Sequence, residues 1–226
     1  MSLQATLLAV FGSDLTIVNA ARVSFAKESL KLDDKDIKLI NYLVAHKHFA
    51  PLCHPQITFR VTAPIFVARQ LAKHQVGAVW SEESRRYIDE PPQFFRPDHW
   101  RGRAKNVKQG SAGPVDSNTA AKASYVLQEV ERQTLSAYNT LLEQGVAPEQ
   151  ARMVLPLSTC TTWIWTGSLQ FFARVCQLRL DNHAQYESQL IAQQISNQIS
   201  PYFPIAWSAL LGPESCPPTP NASPTP

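Results

Sequence analysis

The chain has 226 residues, of which 44% are hydrophobic and 17% are charged, and its formal net charge is +3. This length and apolar content suit one domain with a real hydrophobic core. The small net charge does not indicate a nucleic-acid-binding protein, and no apolar run approaches the roughly 20 residues of a membrane span.

The N-terminus lacks the basic region, long apolar run and small-residue cleavage site of a secretory signal. Four cysteines are irregularly spaced, without a Cys-x-x-Cys pair: Cys53, Cys160, Cys176 and Cys216. In a chain without a secretory signal, such cysteines are expected to be reduced thiols. We therefore expect a cytoplasmic protein.

The first part of the chain predicts strands and helices in turn. Residues 1–11 are expected to form a strand, and Asp14 is expected to cap a helix that continues to Ala21. Asp33 is expected to cap a second helix, because apolar residues then recur on one face: Ile37, Ile40, Leu43 and Val44. The period-two alternation of residues 57–62 predicts a half-buried strand.

A helix that carries several hydrogen-bond donors is predicted next. Pro64 suits its first turn, and we expect it to continue to Gln75. Two pairs of polar residues would then share one face, because their members are four residues apart: Arg69 with Lys73, and Gln70 with His74.

The second part of the chain begins with residues 89–115, which contain prolines, glycines and arginines and are expected to be ordered but irregular. We call this segment the excursion. A long helix is predicted from about Asp116 to Gln144, with these residues facing inward: Leu127, Val130, Ala137, Tyr138 and Leu141. Pro148 is expected to begin a short helix that carries Arg152.

The remaining segments complete the predicted fold. Residues 159–165 favour a strand or an extended segment, and helices are expected at about 168–178 and 183–200. Residues 1–211 then form one domain, and the proline-rich residues 212–226 form a disordered tail. The pattern predicts an α+β protein with a small, mostly antiparallel sheet surrounded by helices.

Two polar clusters indicate a ligand site. The first extends from Arg69 to Gln75, and Ser84-Arg85-Arg86-Tyr87 follows it. The second contains Arg174, Arg179, Asp181, His183 and Gln185. Cations and amides placed beside apolar sequence favour a site for a planar, negatively charged ligand.

A plainer interpretation of the first cluster stays open. Its cations could form a solvated basic face, with Glu82 and Glu83 pairing some of the arginines locally. For the second cluster, Arg179 could instead complement the dipole at the end of a helix.

No metal site is expected. The spacing of His46, His48, Cys53 and His54 matches no standard zinc pattern. Cys53 and His54 are also a poor nucleophile–base pair, because adjacent side chains on a strand point apart.

Six blocks of sequence, in order, resemble the signature of the flavin-dependent thymidylate synthases. They are Ala-Ala-Arg-Val-Ser-Phe at 20–25, Pro-Ile-Phe-Val-Ala-Arg-Gln at 64–70, Lys-His-Gln at 73–75, Ser-Arg-Arg-Tyr at 84–87, Ala-Arg-Met-Val-Leu-Pro at 151–156, and Leu-Arg-Leu-Asp-Asn-His-Ala-Gln-Tyr-Glu at 178–187. Several separated blocks in the same order are far more specific than one motif.

The chain departs from the usual signature at two places. The family has Arg-His-Arg, seven residues and Ser, whereas this chain has Lys73-His74-Gln75, eight residues and Ser84. Ser168 and Gln170 stand where many members have an Asn and an Arg that touch flavin. These changes resemble a phage-like or cyanobacterial-like variant of the signature.

The resemblance implies a reaction in which dUMP is methylated to dTMP, with methylenetetrahydrofolate as carbon donor. FAD, reduced by NADPH, would supply the hydride. The resemblance also implies a homotetramer whose active sites combine residues of several subunits, and neither nucleic acid nor a membrane is an implied partner.

The same resemblance implies roles for residues. Arg152 and Arg86 would hold the dUMP phosphate, and Arg179 would stabilise negative charge on the uracil ring. The implied dUMP site comprises Gln70, Lys73, Glu82, Ser84, Arg85, Arg86, Arg152 and Arg179. The implied FAD site comprises His54, Gln56, Lys73, His74, Gln75, Ser168, Gln170 and Arg174. Arg179 and Ser84 are the candidate catalytic residues. For Ser84 we prefer phosphate binding to a nucleophilic role, since the sequence supplies no adjacent base.

Two alternatives are kept. The protein could instead be a non-catalytic protein that binds a nucleotide or a single nucleic-acid strand through residues 85–108 as a basic loop, with Trp100, Phe94 and Phe95 stacking on bases. Alternatively, the departures from the signature could mark a flavoprotein that acts on another substrate.

Overall fold

A four-stranded antiparallel sheet organises the computed structural model, which describes residues 3–88, 90–105 and 110–212. Its strands are β1 (Gln4–Phe11), β2 (Gln56–Pro64), β3 (Ala78–Glu82) and β4 (Cys160–Ser168), in the spatial order β1-β2-β4-β3. The two central strands pair along their whole length, from Gln56 opposite Ser168 to Pro64 opposite Cys160.

Helices surround this sheet. They are α1 (Asp14–Arg22), α2 (Asp34–Ala45), α3 (Ile65–Leu71), α4 (Ser117–Glu143), α5 (Pro148–Ala151), α6 (Leu169–Arg179), α7 (Tyr186–Ile199) and α8 (Pro204–Leu211). Short 3-10 turns lie at Val23–Phe25, Ala50–Cys53 and Arg152–Val154. The prediction of an α+β protein is confirmed. Within the described ranges, none of the helices combines the length and the apolar character that crossing a membrane requires.

The core combines buried residues of the sheet with buried residues of helices α1, α2, α3, α6, α7 and α8. Residues Ile57, Phe59 and Val61 alternate along β2 and are fully buried, as the period-two pattern predicts. On α7, buried isoleucines recur every fourth residue and form one apolar stripe: Ile191, Ile195 and Ile199.

The outer edge of β1 is covered by two glutamines of α7. The amide of Gln198 accepts from the backbone N–H of Leu7 (2.9 Å) and donates to the carbonyl of Ala5 (2.8 Å). Gln194 accepts from the N–H of Ala5 at 2.8 Å and donates to the carbonyl of Leu3 at 3.1 Å. Side-chain amides therefore satisfy backbone groups that an edge strand otherwise leaves open.

Asp14 caps a helix, but not the helix that the sequence predicts. Ser13 is the N-cap of α1, and Asp14 is its first residue. The buried carboxylate of Asp14 accepts from the backbone N–H groups of Ile205 (2.9 Å) and Ala206 (3.0 Å), at the start of α8. Burial raises the pKa of Asp14. The sequence prediction also missed α8 itself.

The predicted helix from Pro64 to Gln75 is shorter than expected. Helix α3 ends at Leu71, and Pro64 is its N-cap. The chain then turns through Gly77, whose φ of +87° favours glycine, and enters β3, a strand that the sequence prediction missed. The prediction that Arg69, Lys73, Gln70 and His74 share one helical face is therefore wrong.

Helix α4 has the predicted length but a more exposed surface. Asp116 caps it by accepting from the backbone N–H of Thr119 at 3.0 Å. Tyr138 is buried as predicted, whereas Val130 and Ala137 are exposed in this chain, contrary to the prediction. The excursion, over 90–105 and 110–115, contains only isolated β-bridges and confirms the irregular segment expected there. Apart from Gly212, the predicted tail lies outside the described residues.

Candidate active site

A cavity of about 740 Å³ opens beside the end of α3, the end of α6 and the start of α7. Gln70 of α3, Arg179 of α6 and Tyr186 of α7 line it, and Arg101 and Ser111 of the excursion line it as well. The second polar cluster of the sequence also reaches this cavity, through Asp181, His183 and Gln185. The fold thus brings the Gln70 and Arg179 regions together although they lie far apart in the sequence.

His74 and Arg179 form a direct hydrogen bond. The Nε–H of Arg179 donates to Nε2 of His74 at 3.0 Å. Burial, together with the positive charges of Arg179 and Arg174, lowers the pKa of His74 from 6.5 to about 4. The imidazole is therefore neutral at neutral pH, and its unprotonated Nε2 can accept.

Positive charge is left without a counter-ion beside His74. Arg174 donates to the backbone carbonyl of Val76, and Arg179 donates to His74. Neither guanidinium forms an ion pair with a carboxylate in the described part of the chain. Two such cations attract an anion with several oxygen acceptors.

A hydrogen bond from Ser188 holds the side chain of Gln70. The Oγ of Ser188 donates to Oε1 of Gln70, and Ser188 is fully buried. The amide nitrogen of Gln70 has no hydrogen-bond partner among the described residues, and Gln70 is among the residues that line the cavity.

Arg101 is a cavity residue that the sequence analysis did not place in the site. Its guanidinium donates to Glu187 at 2.6 Å and to Ser111 at 2.9 Å, and it lies 4.7 Å from the ring centroid of Tyr186. Glu187 is buried and also accepts from Gln185 at 3.1 Å. A buried carboxylate needs a cation, but the sequence carries no signal that this cation comes from the excursion.

The residues around Ser84 lie away from this cavity. Strand β3 runs from Ala78, opposite Gly167, to Glu82, opposite Trp163, which separates its ends by about 13 Å. Glu82 accepts from the hydroxyl of Thr161 at 2.7 Å and from the indole N–H of Trp80 at 3.0 Å. None of the implied residues from Glu82 to Arg86 lines the cavity.

Ser84, Arg85 and Arg86, which follow β3, differ in their exposure and hydrogen-bond partners. Ser84 accepts from the Nε–H of Arg86 at 3.1 Å, and Arg86 is exposed. Arg85 instead lies over the ring of Tyr138, 5.9 Å from its centroid, and donates to the carbonyl of Glu90. Among the described residues, the hydroxyl of Ser84 hydrogen-bonds only to Arg86, so no base is paired with it.

Arg152 is a second exposed cation outside the cavity. It begins the 3-10 turn after α5, and its Nε–H donates to the carbonyl of Glu149 at 3.3 Å. Like Arg86, it forms no ion pair within the described residues. Both guanidinium groups are therefore accessible to a phosphate that approaches the surface.

Part of the implied flavin set meets at one end of the sheet. The register places Gln56, two residues after His54, opposite Ser168. The backbone N–H of Ser168 donates to the carbonyl of Gly77 at 3.3 Å, so the turn that follows Lys73-His74-Gln75 adjoins the same end. His54, Gln56, Lys73 and Gln75 are exposed.

Ser168 and Gln170 are buried in this chain. The hydroxyl of Ser168 caps α6 by accepting from the N–H of Phe171 at 3.1 Å. The side-chain oxygen of Gln170 is buried and has no hydrogen-bond partner among the described residues. A buried oxygen without a hydrogen-bond partner raises the free energy of the folded state. The capping bond explains Ser168, whereas no contact among the described residues explains Gln170.

The aromatic residues proposed for nucleic-acid stacking are engaged within the fold. The indole N–H of Trp100 donates to the hydroxyl of Ser124 at 2.8 Å. The ring of Phe95 lies 5.9 Å from that of Phe66, and Phe94 pairs with Thr159 in an isolated bridge. All three aromatics are partly buried, so they do not form an open stacking surface.

Known proteins match this chain over most of its length. Residues 6–205 match the family model described as thymidylate synthase complementing protein. The flavin-dependent thymidylate synthase of Thermosipho africanus is 38% identical over 205 residues, which cover 91% of this chain and 89% of that protein. A flavin-dependent thymidylate synthase of Thermus thermophilus is 40% identical over 198 residues, covering 88% of this chain and 72% of that protein.

A solved structure has the same fold. The crystal structure of the UMP/dUMP methylase PolB from Streptomyces cacaoi, bound with 5-Br dUMP, matches with a TM-score of 0.84 and 28% sequence identity. The match covers 96% of this chain and 98% of PolB.

Proposed function

The chain belongs to the thymidylate synthase complementing protein family, whose curated relatives are flavin-dependent thymidylate synthases, and we propose that it methylates dUMP to dTMP. One observation carries the proposal beyond family membership. Gln70 and Arg179 line one cavity, and neither Arg179 nor the nearby Arg174 has a carboxylate partner in the described ranges. A nucleotide with a planar base and an anionic phosphate fits such a site.

Arg179 has the central chemical role in this proposal. Because its Nε–H is engaged by His74, its terminal nitrogens remain free for the carbonyl edge of uracil. There they would stabilise the negative charge that develops on the ring as it attacks the carbon donor. The neutral state of His74 orients the guanidinium without adding a competing positive charge.

The enzyme uses a flavin, and we propose FAD as its form. The donor set fits this group: Arg174 and Lys73 can neutralise a diphosphate, and the unpaired oxygen of Gln170 can accept from a ring N–H. His54, Gln56, His74, Gln75 and Ser168 complete the proposed set. When bound and reduced by NADPH, the flavin supplies the hydride, and methylenetetrahydrofolate supplies the carbon.

We further propose that the active site is completed between subunits of a homotetramer. In one protomer, Ser84, Arg86 and Arg152 lie outside the cavity that Gln70 and Arg179 line. The same residues of another protomer would bring the phosphate-binding cations to it. The exposed apolar residues of α4, Tyr125, Val126 and Val130, support association, because an isolated chain gains nothing from exposing them together.

The remaining assignments follow from the same proposal. Glu82 and Lys73 would contact the nucleotide near its sugar and base, while the contacts of Arg85 in this protomer favour a supporting role for it. The free thiols of Cys53 and Cys176 are compatible with the reducing cytoplasm, where we place the protein.

The test is dTMP formation by purified protein under low oxygen. We expect product when dUMP, methylenetetrahydrofolate, FAD and NADPH are all present, and none when FAD or NADPH is omitted. Absence of product from protein whose absorbance shows bound flavin would contradict the proposal and favour a flavoprotein with another substrate.

A further inference from the structure

Ser188 is unusual among the helical hydroxyl residues of this chain. A serine or threonine within a helix commonly donates to the carbonyl four residues earlier, as Thr134 does to Val130 at 2.8 Å. For Ser188, in the first turn of α7, the carbonyl four residues earlier is that of Ala184, which precedes the helix and accepts from the side chain of Gln189 at 2.7 Å. The hydroxyl of Ser188 instead donates to Gln70, 118 positions away in the sequence.

In this contact the oxygen end of the Gln70 amide faces Ser188. Ser188 is 0% exposed, so it cannot itself touch a ligand. Its donation holds Oε1 of Gln70 on the protein side. The two N–H donors of the amide have no partner among the described residues, and Gln70 lines the cavity, so these donors are available to a ligand there.

We propose that Ser188 is a positioning residue that fixes Gln70 as a hydrogen-bond donor to an acceptor oxygen of the nucleotide. This inference rests on the proposed function, because it takes the cavity to be the dUMP site. Without the Ser188 hydroxyl, the Gln70 amide could rotate and offer its own oxygen to the ligand. An acceptor facing an acceptor loses the hydrogen bond and leaves both groups poorly satisfied.

Glu187, the residue before Ser188 in the first turn of α7, holds another cavity side chain in a similar way. Glu187 is also buried, and it holds Arg101, another side chain that lines the cavity. Two adjacent buried residues thus orient two cavity side chains from different segments of the chain.

The first experiment is a double-mutant cycle on dUMP affinity, measured by calorimetric titration of the flavin-loaded enzyme. We expect Ser188→Ala to weaken dUMP binding about 3- to 10-fold, the range for one lost hydrogen bond. In a Gln70→Ala background the same substitution should have no further effect, because Ser188 acts only through Gln70. An equal loss in both backgrounds would show a general structural effect and overturn the inference.

Ser196→Ala is the matched control. Ser196 is also fully buried in α7, and its hydroxyl accepts from the indole N–H of Trp207 at 3.0 Å, away from the cavity. We expect it to lower thermal stability and leave dUMP affinity unchanged. If Ser196→Ala weakens dUMP binding as much as Ser188→Ala does, the specific role of Ser188 is wrong.

Gln70→Glu tests the donor role without changing Ser188. A carboxylate can still accept from the Ser188 hydroxyl, but it offers the ligand no donor. We expect dUMP affinity to fall at least as far as in Gln70→Ala, with thermal stability retained. Retained dUMP affinity in Gln70→Glu would overturn the inference, whereas failure of the wild-type enzyme to bind dUMP at all would overturn the proposed function with it.

Discussion

Arg179 donates its Nε–H to Nε2 of His74 across 3.0 Å, so a cation and an imidazole lie in direct contact. The contact is favourable only while His74 is neutral, because a protonated ring would have no acceptor and would repel the guanidinium. The structure meets this condition by burying His74 partly and placing Arg174 nearby as a second positive charge. The pair therefore couples the protonation of His74 to the position of the residue that we assign to the uracil edge.

This coupling predicts a specific pH dependence of stability. The pKa of His74 falls from 6.5 to about 4 on folding, so between these values the unfolded chain takes up a proton that the folded chain does not. Stability from this group is present above pH 6.5 and is lost as the pH falls towards 4. His74→Gln, which keeps an acceptor but does not titrate, should lose less of its thermal midpoint than wild type between pH 7 and pH 4.

The measurement is the unfolding temperature of both proteins in a pH series. Other titrating groups, such as Glu129 with its lowered pKa, are shared by the two proteins and cancel in the difference. Parallel curves for wild type and His74→Gln would show that folding does not lower the pKa of His74, contrary to the prediction.

Arg179→Ala should reduce turnover by about 10²- to 10³-fold while flavin binding is retained, because it removes donors aimed at developing negative charge. Arg179→Lys keeps the charge but cannot bind His74 and offer a planar pair of donors together, so an intermediate loss is expected. Turnover is measured as dTMP formed per bound flavin. Wild-type turnover in Arg179→Ala would rule out the assigned role.

Arg152→Ala should weaken dUMP binding by roughly 10- to 100-fold, the range for loss of one charge-assisted hydrogen bond to phosphate. Arg132→Ala is the control, because the Arg132 guanidinium is already bound to Glu129 at 2.6 and 3.0 Å. Calorimetric titration with dUMP compares the two variants. Equal affinities of Arg152→Ala and Arg132→Ala would remove Arg152 from the phosphate site.

The sequence predicts the regular elements well where one local signal dominates. Strand β2 follows from its alternation, and α4 begins and ends within one residue of its predicted bounds. The prediction from sequence fails where a contact with a distant segment overrides the local conformational preference. Lys73-His74-Gln75 could continue a helix, but the chain must turn at Gly77 to place β3 against β4. The prediction that Asp14 caps the helix that follows it is wrong for the same reason, since the N–H groups that Asp14 caps belong to α8.

The residues of the candidate site likewise divide into those that a local motif predicts and those that depend on distant contacts. Gln70 and Arg179 follow from short, specific motifs, and the structure places both at one cavity. Arg101 and Ser188 carry no motif, because their importance depends on packing between segments far apart in the chain. The separation of Ser84 from this cavity likewise depends on the direction of β3, which residue patterns alone do not give.

Gln198→Ala should destabilise the fold through the edge of β1. It removes the partners of the Leu7 N–H and the Ala5 carbonyl, and partly buried backbone groups left unpaired cost about 1–3 kcal/mol. Gln193→Ala is the control, because Gln193 is exposed on α7 and, among the described residues, its side chain bonds only to Asn197 at 2.8 Å. A change within about 0.5 kcal/mol is expected for it. Denaturant unfolding measures both free energies. If the two substitutions lower the free energy of unfolding equally, the glutamines do not stabilise the edge of β1. If only Gln198→Ala lowers it and this variant also self-associates, the glutamines additionally shield the edge strand from pairing with other chains.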